Sequence, residues 1–260
     1  MKQAVVTGAS KGIGKAFAHL LASQGYDLLL VARSEKTLSK EVEELVQKFG
    51  VKAYALPLDL SNSNSVSLIL TWCQQQQFNP SVLINNAGYA CWGYFDKIDL
   101  QQHQQMMQVN VNTLVNLTYG LLPVLRKSEQ AYILNVASTT AFQAVPTMTL
   151  YAASKALVRS FSRGLRYELR NSNVSVTCLS PGPVATNFIE QAGMQVMQET
   201  AKKFEMSPEE VATTGLKAMF NKKAECVPGF LNYLTIKFSF ILPDALLEKI
   251  AGNIYLSKMK

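Results

Sequence analysis

A glycine-containing turn between a short apolar run and an amphipathic segment is the feature that most constrains this chain. The turn reads Thr7-Gly8-Ala9-Ser10-Lys11-Gly12-Ile13-Gly14, after apolar residues 4–6 and before a helical pattern over 16–23. Glycine lets the backbone adopt positive φ and lets a ligand approach where a Cβ would collide. A helix behind such a turn directs free N–H groups at an anion. The stretch predicts a phosphate site, although this spacing also occurs in tight turns that bind nothing.

Strand-like and helix-like segments alternate along most of the chain. Strands are expected at 4–7, 26–32, 51–58, 81–86, 130–137, 174–179 and 225–228; helices are expected at 13–24, 35–49, 62–77, 100–119, 150–170 and 186–204, and another starts at Ser207-Pro208-Glu209-Glu210. This alternation predicts an α/β fold, a three-layer doubly wound parallel sheet of the Rossmann type. Because no linker or repeat is visible, we expect a single domain over 1–260. A lid insert is expected at about 186–205 and an apolar C-terminal tail at about 229–260.

Composition excludes several classes of function. The net charge is +7, but the basic residues are spread along the 260-residue chain, so we expect no nucleic-acid partner. The cysteines Cys73, Cys91, Cys178 and Cys226 are scattered and accompany only two histidines. We therefore expect no metal site and a reduced, cytoplasmic protein. We expect neither a signal peptide nor a membrane span, because the first strand starts near Met1 and no apolar run is long enough.

Three polar residues near the predicted strand ends indicate acid–base chemistry. Tyr151 and Lys155 are four residues apart and share one helix face, and Ser138 follows a strand. A tyrosine titrates near ~10, and a cationic lysine should lower its pKa. Tyr151 could then donate a proton to a carbonyl oxygen that Ser138 also hydrogen-bonds. In isolation, the tyrosine and lysine could equally form a surface contact.

Together these residues resemble the short-chain dehydrogenase/reductase family, in its main single-domain branch. The resemblance covers about residues 3–187 and includes the glycine turn, Asp59, Asn85-Asn86-Ala87-Gly88, Asn110, Ser138, Tyr151, Lys155 and Pro181-Gly182-Pro183-Val184-Ala185-Thr186. It implies that Asn110, Ser138, Tyr151 and Lys155 are catalytic. Tyr151 would exchange the proton, Lys155 would hold the nicotinamide ribose, Ser138 would orient the carbonyl and Asn110 would hold a water molecule.

The resemblance also implies a nicotinamide dinucleotide site. Its candidate residues are Gly8, Ser10, Lys11, Gly12, Ile13, Gly14, Arg33, Ser34, Asp59, Leu60, Asn86, Ala87, Gly88, Tyr151, Lys155, Pro181, Gly182, Val184 and Thr186. An acid after the second strand would bond the ribose hydroxyls of NAD and repel a 2′-phosphate, but this position holds Ala32-Arg33-Ser34. Because Arg33 and Lys11 are cations that can bind a phosphate, we predict NADP(H). The alternative is that Arg33 pairs with Glu35 or solvent.

The predicted substrate pocket is apolar. Its candidate residues are Trp92, Phe142, Val145 and Phe188 beside Ser138 and Tyr151, with Tyr94, Phe95, Ile189, Met194 and Met197 as further members. Aromatic and methionine linings suit an apolar, adaptable ligand. A medium or long ketone or the 3-oxoacyl part of a thioester would fit, although each of these side chains could instead belong to the core.

Two surface features allow several interpretations. Arg159, Arg163, Arg166 and Arg170 recur at helical spacing, and this basic stripe would either dock an acidic carrier protein or form a solvated or subunit-contact face paired with acids such as Glu168. The tail contains two apolar pieces, Phe230–Leu242 and Ala245–Tyr255. The tail could lie on a membrane, close the pocket, cover a neighbouring subunit or pack on its own domain.

The sequence thus predicts an NADPH-dependent oxidoreductase that reduces a ketone or aldehyde to an alcohol, with Tyr151 as general acid or base. The resemblance implies a homodimer or homotetramer. Two alternatives remain open at this point. One is a non-catalytic NADP-binding sensor or interaction protein, which would have no need of both Ser138 and Tyr151. The other is a peripheral membrane reductase of lipid-linked substrates, which depends on the tail alone.

Overall fold

The protein is described by a computed structural model that covers residues 2–186, 188–194, 196, 202 and 205–258. Its strands are β1 (Gln3–Thr7), β2 (Asp27–Ala32), β3 (Ala53–Pro57), β4 (Val82–Asn85), β5 (Ala131–Val136), β6 (Val174–Leu179) and β7 (Glu225–Cys226). Its helices are α1 (Gly12–Ser23), α2 (Glu35–Phe49), α3 (Ser65–Gln75), α4 (Leu100–Met107), α5 (Thr113–Leu125), α6 (Thr149–Glu168), α7 (Phe188–Gln191), α8 (Pro208–Phe220), α9 (Phe230–Ser239) and α10 (Asp244–Leu256).

The strands form one parallel sheet in the order β3-β2-β1-β4-β5-β6-β7. Successive residues of each strand enter opposite cores: Val6 and Leu30 pack towards α1, α2 and α8, whereas Val5 and Leu29 pack towards α3 and α5. A strand that is buried on both faces must be continuously apolar, as β2 is after Asp27. The expected three-layer, doubly wound parallel sheet is confirmed.

The glycine turn owes its shape to residues that lack a Cβ. Gly12 has φ +58°, a left-handed conformation that L side chains rarely adopt. At Gly14, a Cβ would overlap the carbonyl oxygen of Gly8 and approach Asn86 Nδ2 to 2.6 Å. Asn86 Nδ2 in turn donates to the carbonyl oxygens of Thr7 and Gly8, at 3.0 and 3.2 Å. The start of α1 is therefore held against the turn and against the residues after β4.

A buried polar network ties α5 and α6 to the centre of the sheet. Asn85 Nδ2 on β4 donates to Thr118 Oγ1 of α5 and to Asn135 Oδ1 of β5, both at 2.9 Å. Asn135 Nδ2 then donates to Ser162 Oγ of α6, also at 2.9 Å. Unsatisfied buried amides would cost free energy, so these contacts fix where both helices lie on the sheet.

The helix expected at 100–119 is not continuous. Helix α4 ends at Met107, a π-helical turn occupies Gln108–Asn112, and α5 continues to Leu125 with Pro123 inside it. A π turn accommodates one additional residue and is frequent at functional sites. Met106 of α4 packs in a different apolar cluster from Leu117 and Leu121 of α5, and apolar periodicity over the region does not reveal where one cluster gives way to the other.

Other element boundaries follow the local signals. Ser34 Oγ accepts from the Thr37 N–H at the start of α2, and Gly50 ends that helix with φ +67°. Ser207 and Glu210 form the reciprocal capping box of α8. The helix expected at 186–204 is wrong in extent, since α7 covers only Phe188–Gln191. Positions 187, 195, 197–201, 203 and 204, including the pocket candidate Met197, lie outside the described residues.

The arginine stripe on α6 ties the helix to its own domain. Arg159 Nε contacts Glu225 Oε1 at 2.5 Å, and Arg163 Nη1 contacts Glu225 Oε2 at 3.3 Å. Arg166 donates to the carbonyl oxygens of Val176 and Lys222, while Arg170 stacks on Tyr167. The acid beside the stripe is therefore Glu225 at the sheet edge. Because these guanidinium groups are already engaged, the structure gives no support to an acidic carrier protein at this stripe.

Gly14→Ala should destabilise the protein, because its methyl group would enter the space of the Gly8 backbone. We expect the free energy of unfolding, measured by urea denaturation, to fall by roughly 1–3 kcal/mol. Gly164→Ala is the matched control, since no atom lies within 4 Å of its Cβ position on α6. That substitution should stabilise the helix by ~0.5–1 kcal/mol. Equal midpoints for the two variants would contradict this account of the turn.

Candidate active site

A cavity of about 930 Å³ lies at the carboxyl ends of the strands. It opens beside β1 and β4, where the strand order changes direction and open α/β sheets bind their ligands. Most of the predicted site residues line it: Gly8, Ser10, Lys11, Gly12, Ile13, Arg33, Ser34, Asp59, Leu60, Asn86, Ala87, Gly88, Ser138, Phe142, Val145, Tyr151, Lys155, Pro181, Gly182, Val184, Thr186 and Phe188. The topology thus brings segments that are far apart in sequence to one cavity.

Gly14, Trp92 and Asn110 are not among the lining residues. Gly14 lies behind the turn, where it allows close packing of α1. Trp92 packs against the apolar cluster that includes Met148 and Tyr151, and its Nε1 is buried without a hydrogen-bond partner among the described residues. Tyr94 and Phe95, further along the same loop, are exposed. The aromatic loop therefore contributes less to the cavity than its composition predicts.

One end of the cavity is cationic. Arg33 and Lys11 line it, and neither side chain makes a hydrogen bond or an ion pair with another described residue. The pairing of Arg33 with Glu35, the alternative considered from sequence, is not present among the described contacts. Burial raises the pKa of Asp59, but hydrogen bonds from Ser61 and the charge of Arg33 outweigh it and hold the pKa below its ordinary value. Two exposed cations and one ionised carboxylate thus face the cavity.

The glycine turn supplies a cradle at the same end. A Cβ on Gly12 would lie only 2.9 Å from Thr186 Cγ2, so the close approach of these two segments requires glycine. The first residues of α1 lie at this turn, and free N–H groups of a helix start favour an anion. These features fit a dinucleotide: a Cβ-free turn and a helix start for its pyrophosphate, with cations near the end of β2 for a further phosphate.

At the other end, Ser138, Tyr151 and Lys155 meet on one wall. Ser138 Oγ accepts from the Thr140 N–H at 3.1 Å at the start of a 3₁₀ turn, which leaves its own O–H available as a donor. Lys155 Nζ donates to the carbonyl oxygen of Val136 at 2.9 Å and lies 5.8 Å from the centre of the Tyr151 ring. The predicted face of α6 is therefore turned into the cavity.

The lowered pKa that the sequence predicts for Tyr151 is wrong for this structure. Burial raises the pKa of Tyr151 well above its ordinary value, against the opposing effect of Ser138. Burial also lowers the pKa of Lys155 to about 8, so its ammonium group is still mostly protonated at neutral pH. Desolvation outweighs the attraction that sequence spacing indicated. The phenol of Tyr151 is consequently protonated throughout the neutral range.

Asn110 lies in the π turn and reaches the cavity through Gly88. Its Oδ1 accepts from the Tyr89 N–H at 3.0 Å, and its Nδ2 donates to the Tyr89 carbonyl oxygen and to Ser154 Oγ. The position that a Cβ on Gly88 would take is 3.0 Å from Asn110 Oδ1 and 3.2 Å from Lys155 Nζ. Asn110 and Lys155 thus both lie against Gly88, and Asn110 holds the loop that carries the cavity wall.

The C-terminal tail contributes cavity residues that the sequence left unassigned. Helices α9 and α10 place these side chains on the lining: Asn232, Thr235, Ile236, Phe238, Ser239, Leu247, Ile250, Ala251, Ile254 and Tyr255. Tyr255 packs in the same cluster as Tyr151 and Phe188, and burial raises its pKa. Of the four placements considered for the tail, the structure shows packing on its own domain together with lining of the pocket. The apolar pattern of the tail is visible in the sequence, but the sequence alone does not show which surface the tail packs against.

A group of possible metal ligands lies outside this cavity. His19, Glu41 and Glu44 bring one ligand atom each to within 4.8 Å of one another on α1 and α2. Lys15 Nζ contacts Glu41 at 2.8 Å and Glu44 at 3.2 Å, and His19 Nε2 contacts Glu41 at 2.5 Å. The ammonium group already supplies the positive charge, so the cluster joins the two helices.

Comparison with known proteins identifies the family of this chain. A sequence model described as short chain dehydrogenase matches residues 2–197. This chain belongs to the short chain dehydrogenase family. A relative named as an uncharacterized oxidoreductase of Staphylococcus aureus strain USA300 is 30% identical over 222 residues, which are 85% of this chain and 92% of that protein.

Solved structures of other short chain dehydrogenases are similar along nearly the whole chain. One from Sphingobium yanoikuyae, in complex with NADPH, has a TM-score of 0.82 at 26% identity and covers 94% of this chain and 98% of its own. Another from Burkholderia phymatum, in complex with NAD, has a TM-score of 0.84 at 25% identity, covering 91% and 92%. The family therefore includes relatives with either cofactor, and the choice between them must be argued from side chains.

The buried Lys155 should cost stability in the absence of a ligand. Because its folded-state pKa of about 8 lies below the ordinary 10.5, the unfolded chain binds the proton more tightly. Lys155→Met should therefore stabilise the ligand-free protein below pH 8 by roughly 1–3 kcal/mol, after allowance for the lost bond to Val136.

Thermal unfolding at a series of pH values checks this prediction. The advantage of Lys155→Met should shrink as pH rises from about 8 towards 10.5, where the wild-type ammonium is neutral in the folded protein. Lys36→Met, which removes an exposed lysine of α2, is the matched control and should show no such change. A variant less stable than wild type at every pH would show that the Val136 hydrogen bond outweighs desolvation.

Proposed function

We propose that this protein reduces a ketone or aldehyde that carries an apolar or acyl-type group to the corresponding alcohol, with NADPH as reductant. The observation that carries the proposal is the meeting of Ser138, Tyr151 and Lys155 on the cavity wall. A cofactor-binding protein without catalysis would have no need of a buried phenol beside the hydroxyl group of Ser138. Membership of the short chain dehydrogenase family supports the same class of reaction.

The proton chemistry is assigned to this chain's own residues. Tyr151, held protonated by burial, donates its phenolic proton to the carbonyl oxygen as negative charge develops there. Ser138 donates a hydrogen bond to the same oxygen and orients it. Lys155 shares a helix face with Tyr151 and stabilises the phenolate that is left. Bound NADPH supplies the hydride that reaches the carbonyl carbon.

Preference for NADPH is supported by the charges at the end of β2. Arg33 follows that strand where an acid would bond the ribose hydroxyls of NAD. Its guanidinium group is exposed on the cavity lining without a protein partner among the described residues. Lys11 offers a second cation on the glycine turn. A guanidinium group can bind a phosphate with two charge-assisted hydrogen bonds.

The apolar end of the cavity supports a hydrophobic substrate. Phe142, Val145 and Phe188 line it, and Met194 and the α9–α10 side chains extend it. The ring of Phe188 lies 5.7 Å from that of Tyr151, so the apolar wall reaches the proton donor. A medium or long ketone or a 3-oxoacyl group would place its chain along this wall and its carbonyl at Tyr151.

Arg33→Ala should weaken NADPH binding by roughly 10- to 100-fold, the range expected for a charge-assisted contact, and leave NADH binding unchanged. Titration with each cofactor, followed by protein fluorescence quenching, measures both constants. Lys36→Ala, which removes an equal charge on α2, is the matched control and should change neither. Equal affinity of the wild type for the two cofactors would contradict the assignment of Arg33.

Tyr151→Phe should lower kcat for ketone reduction by about 10²–10⁴-fold, the contribution of a positioned acid, while NADPH binding persists. Tyr255→Phe is the matched control, because that phenol packs in the same cluster. An equal loss in both variants would mean that the proton donor has been assigned to the wrong phenol. Because burial holds Tyr151 protonated, the reduction rate of wild type should not fall between pH 6 and 7.

A further inference from the structure

The tail exposes an unusually apolar surface. Phe230 and Ile241 are 74% and 76% exposed, and Leu231, Phe238 and Phe240 are also exposed on α9 and the residues that follow it. On α10, Leu246, Ile250, Ile254 and Leu256 are exposed as well. Contiguous apolar surface of this kind marks an interaction site in a folded protein. We call the exposed side chains of 230–256 the tail face.

The tail face is continuous with the cavity. Phe238, Ile250 and Ile254 are exposed and also line the cavity, so they form an apolar rim at its mouth. Further in, Ile236 and Leu247 lead towards Tyr255 and the cluster around Tyr151. An apolar molecule can therefore pass from the tail face to the proton donor without leaving apolar surface.

The charged residues of the tail indicate which kind of partner the tail face binds. Lys237 is exposed on α9, Lys249 is exposed on α10, and Lys258 is exposed just after α10. The acids of 229–258 are Asp244, at the start of α10, and Glu248, which lines a separate groove against Ala152 and Ala156 of α6. With three lysines and two acids, residues 229–258 carry a net charge of +1, and anionic lipid would neutralise this charge.

We propose that the tail face docks on an anionic lipid surface and admits an apolar carbonyl substrate from it. Exposed phenylalanine and isoleucine side chains would enter the interface between headgroups and acyl chains, and the lysines would contact lipid phosphates. The contact is peripheral, because among the described residues no helix is both long and apolar enough to cross a bilayer. Docking depends on the tail face alone, whereas the substrate route rests on the proposed function.

Co-sedimentation of the full chain with vesicles tests docking. We expect binding to phosphatidylcholine vesicles that contain phosphatidylglycerol and weaker binding to phosphatidylcholine alone. Phe230→Ser with Ile241→Ser should weaken binding by at least roughly tenfold for each side chain removed. Val46→Ser with Leu68→Ser, which removes two exposed apolar side chains of α2 and α3, is the matched control and should bind as wild type. Lys237→Glu with Lys249→Glu should remove the preference for anionic vesicles.

Several outcomes would overturn the proposal. These are no sedimentation with either vesicle, or sedimentation that the Phe230 and Ile241 substitutions leave unchanged. An oligomer in solution that these two substitutions dissociate would assign the face to a second copy. Reduction kinetics separate this proposal from the proposed function. Phe230→Ser with Ile241→Ser should lower kcat/KM for a long-chain ketone held in vesicles but not for a water-soluble ketone. No reduction of either ketone by wild type would overturn the proposed function while leaving docking to the vesicle result.

Discussion

The hydrogen-bonded chain from Thr118 through Asn85 and Asn135 to Ser162 is the constraint on which the site depends. It crosses the sheet at β4 and β5 and ends on α6, the helix that carries Tyr151 and Lys155. Apolar packing alone allows a helix to slide or rotate on a sheet, because dispersion contacts have little directional preference. Buried amides are satisfied only in one arrangement. The position of α6, which forms one wall of the cavity, is thus set by polar groups that do not line the cavity.

The two ends of the cavity use opposite electrostatic strategies. At the glycine turn, Arg33 and Lys11 remain exposed and keep their full charge for an anionic ligand. At the other end, burial lowers the pKa of Lys155 to about 8 and keeps Tyr151 neutral. A phosphate is attracted from solution by the first end, whereas the second end is prepared for a proton transfer that develops charge only during reaction. The cavity would therefore bind an anionic ligand through solvent-exposed cations and transfer a proton through buried groups.

The sequence predicts the sheet and most of the site because both depend on local patterns. Apolar runs locate the strands, Ser34 and Gly50 delimit α2, and the residues directly after each strand reach the cavity as expected. Spacing alone could not predict the pKa of Tyr151, since desolvation depends on side chains contributed by α7, α10 and the loops. Nor could it assign Asn232 or Tyr255 to the cavity, because the return of the tail over α6 is a tertiary contact without a local signal. Arg159 similarly finds its acid at Glu225, 66 residues away.

The π turn at Gln108–Asn112 has a consequence for how this region can change over evolution. A π turn absorbs one residue more than an α-helical turn, so the helices on either side of it keep their relative orientation. Deleting a single residue within the turn would therefore restore regular helical bonding and leave α5 facing the sheet, but it would shift the side chains of the turn itself. Asn110 would then no longer be held at Tyr89 and Ser154. A deletion in 108–112 should thus spare the fold and alter the loop that carries the cavity wall.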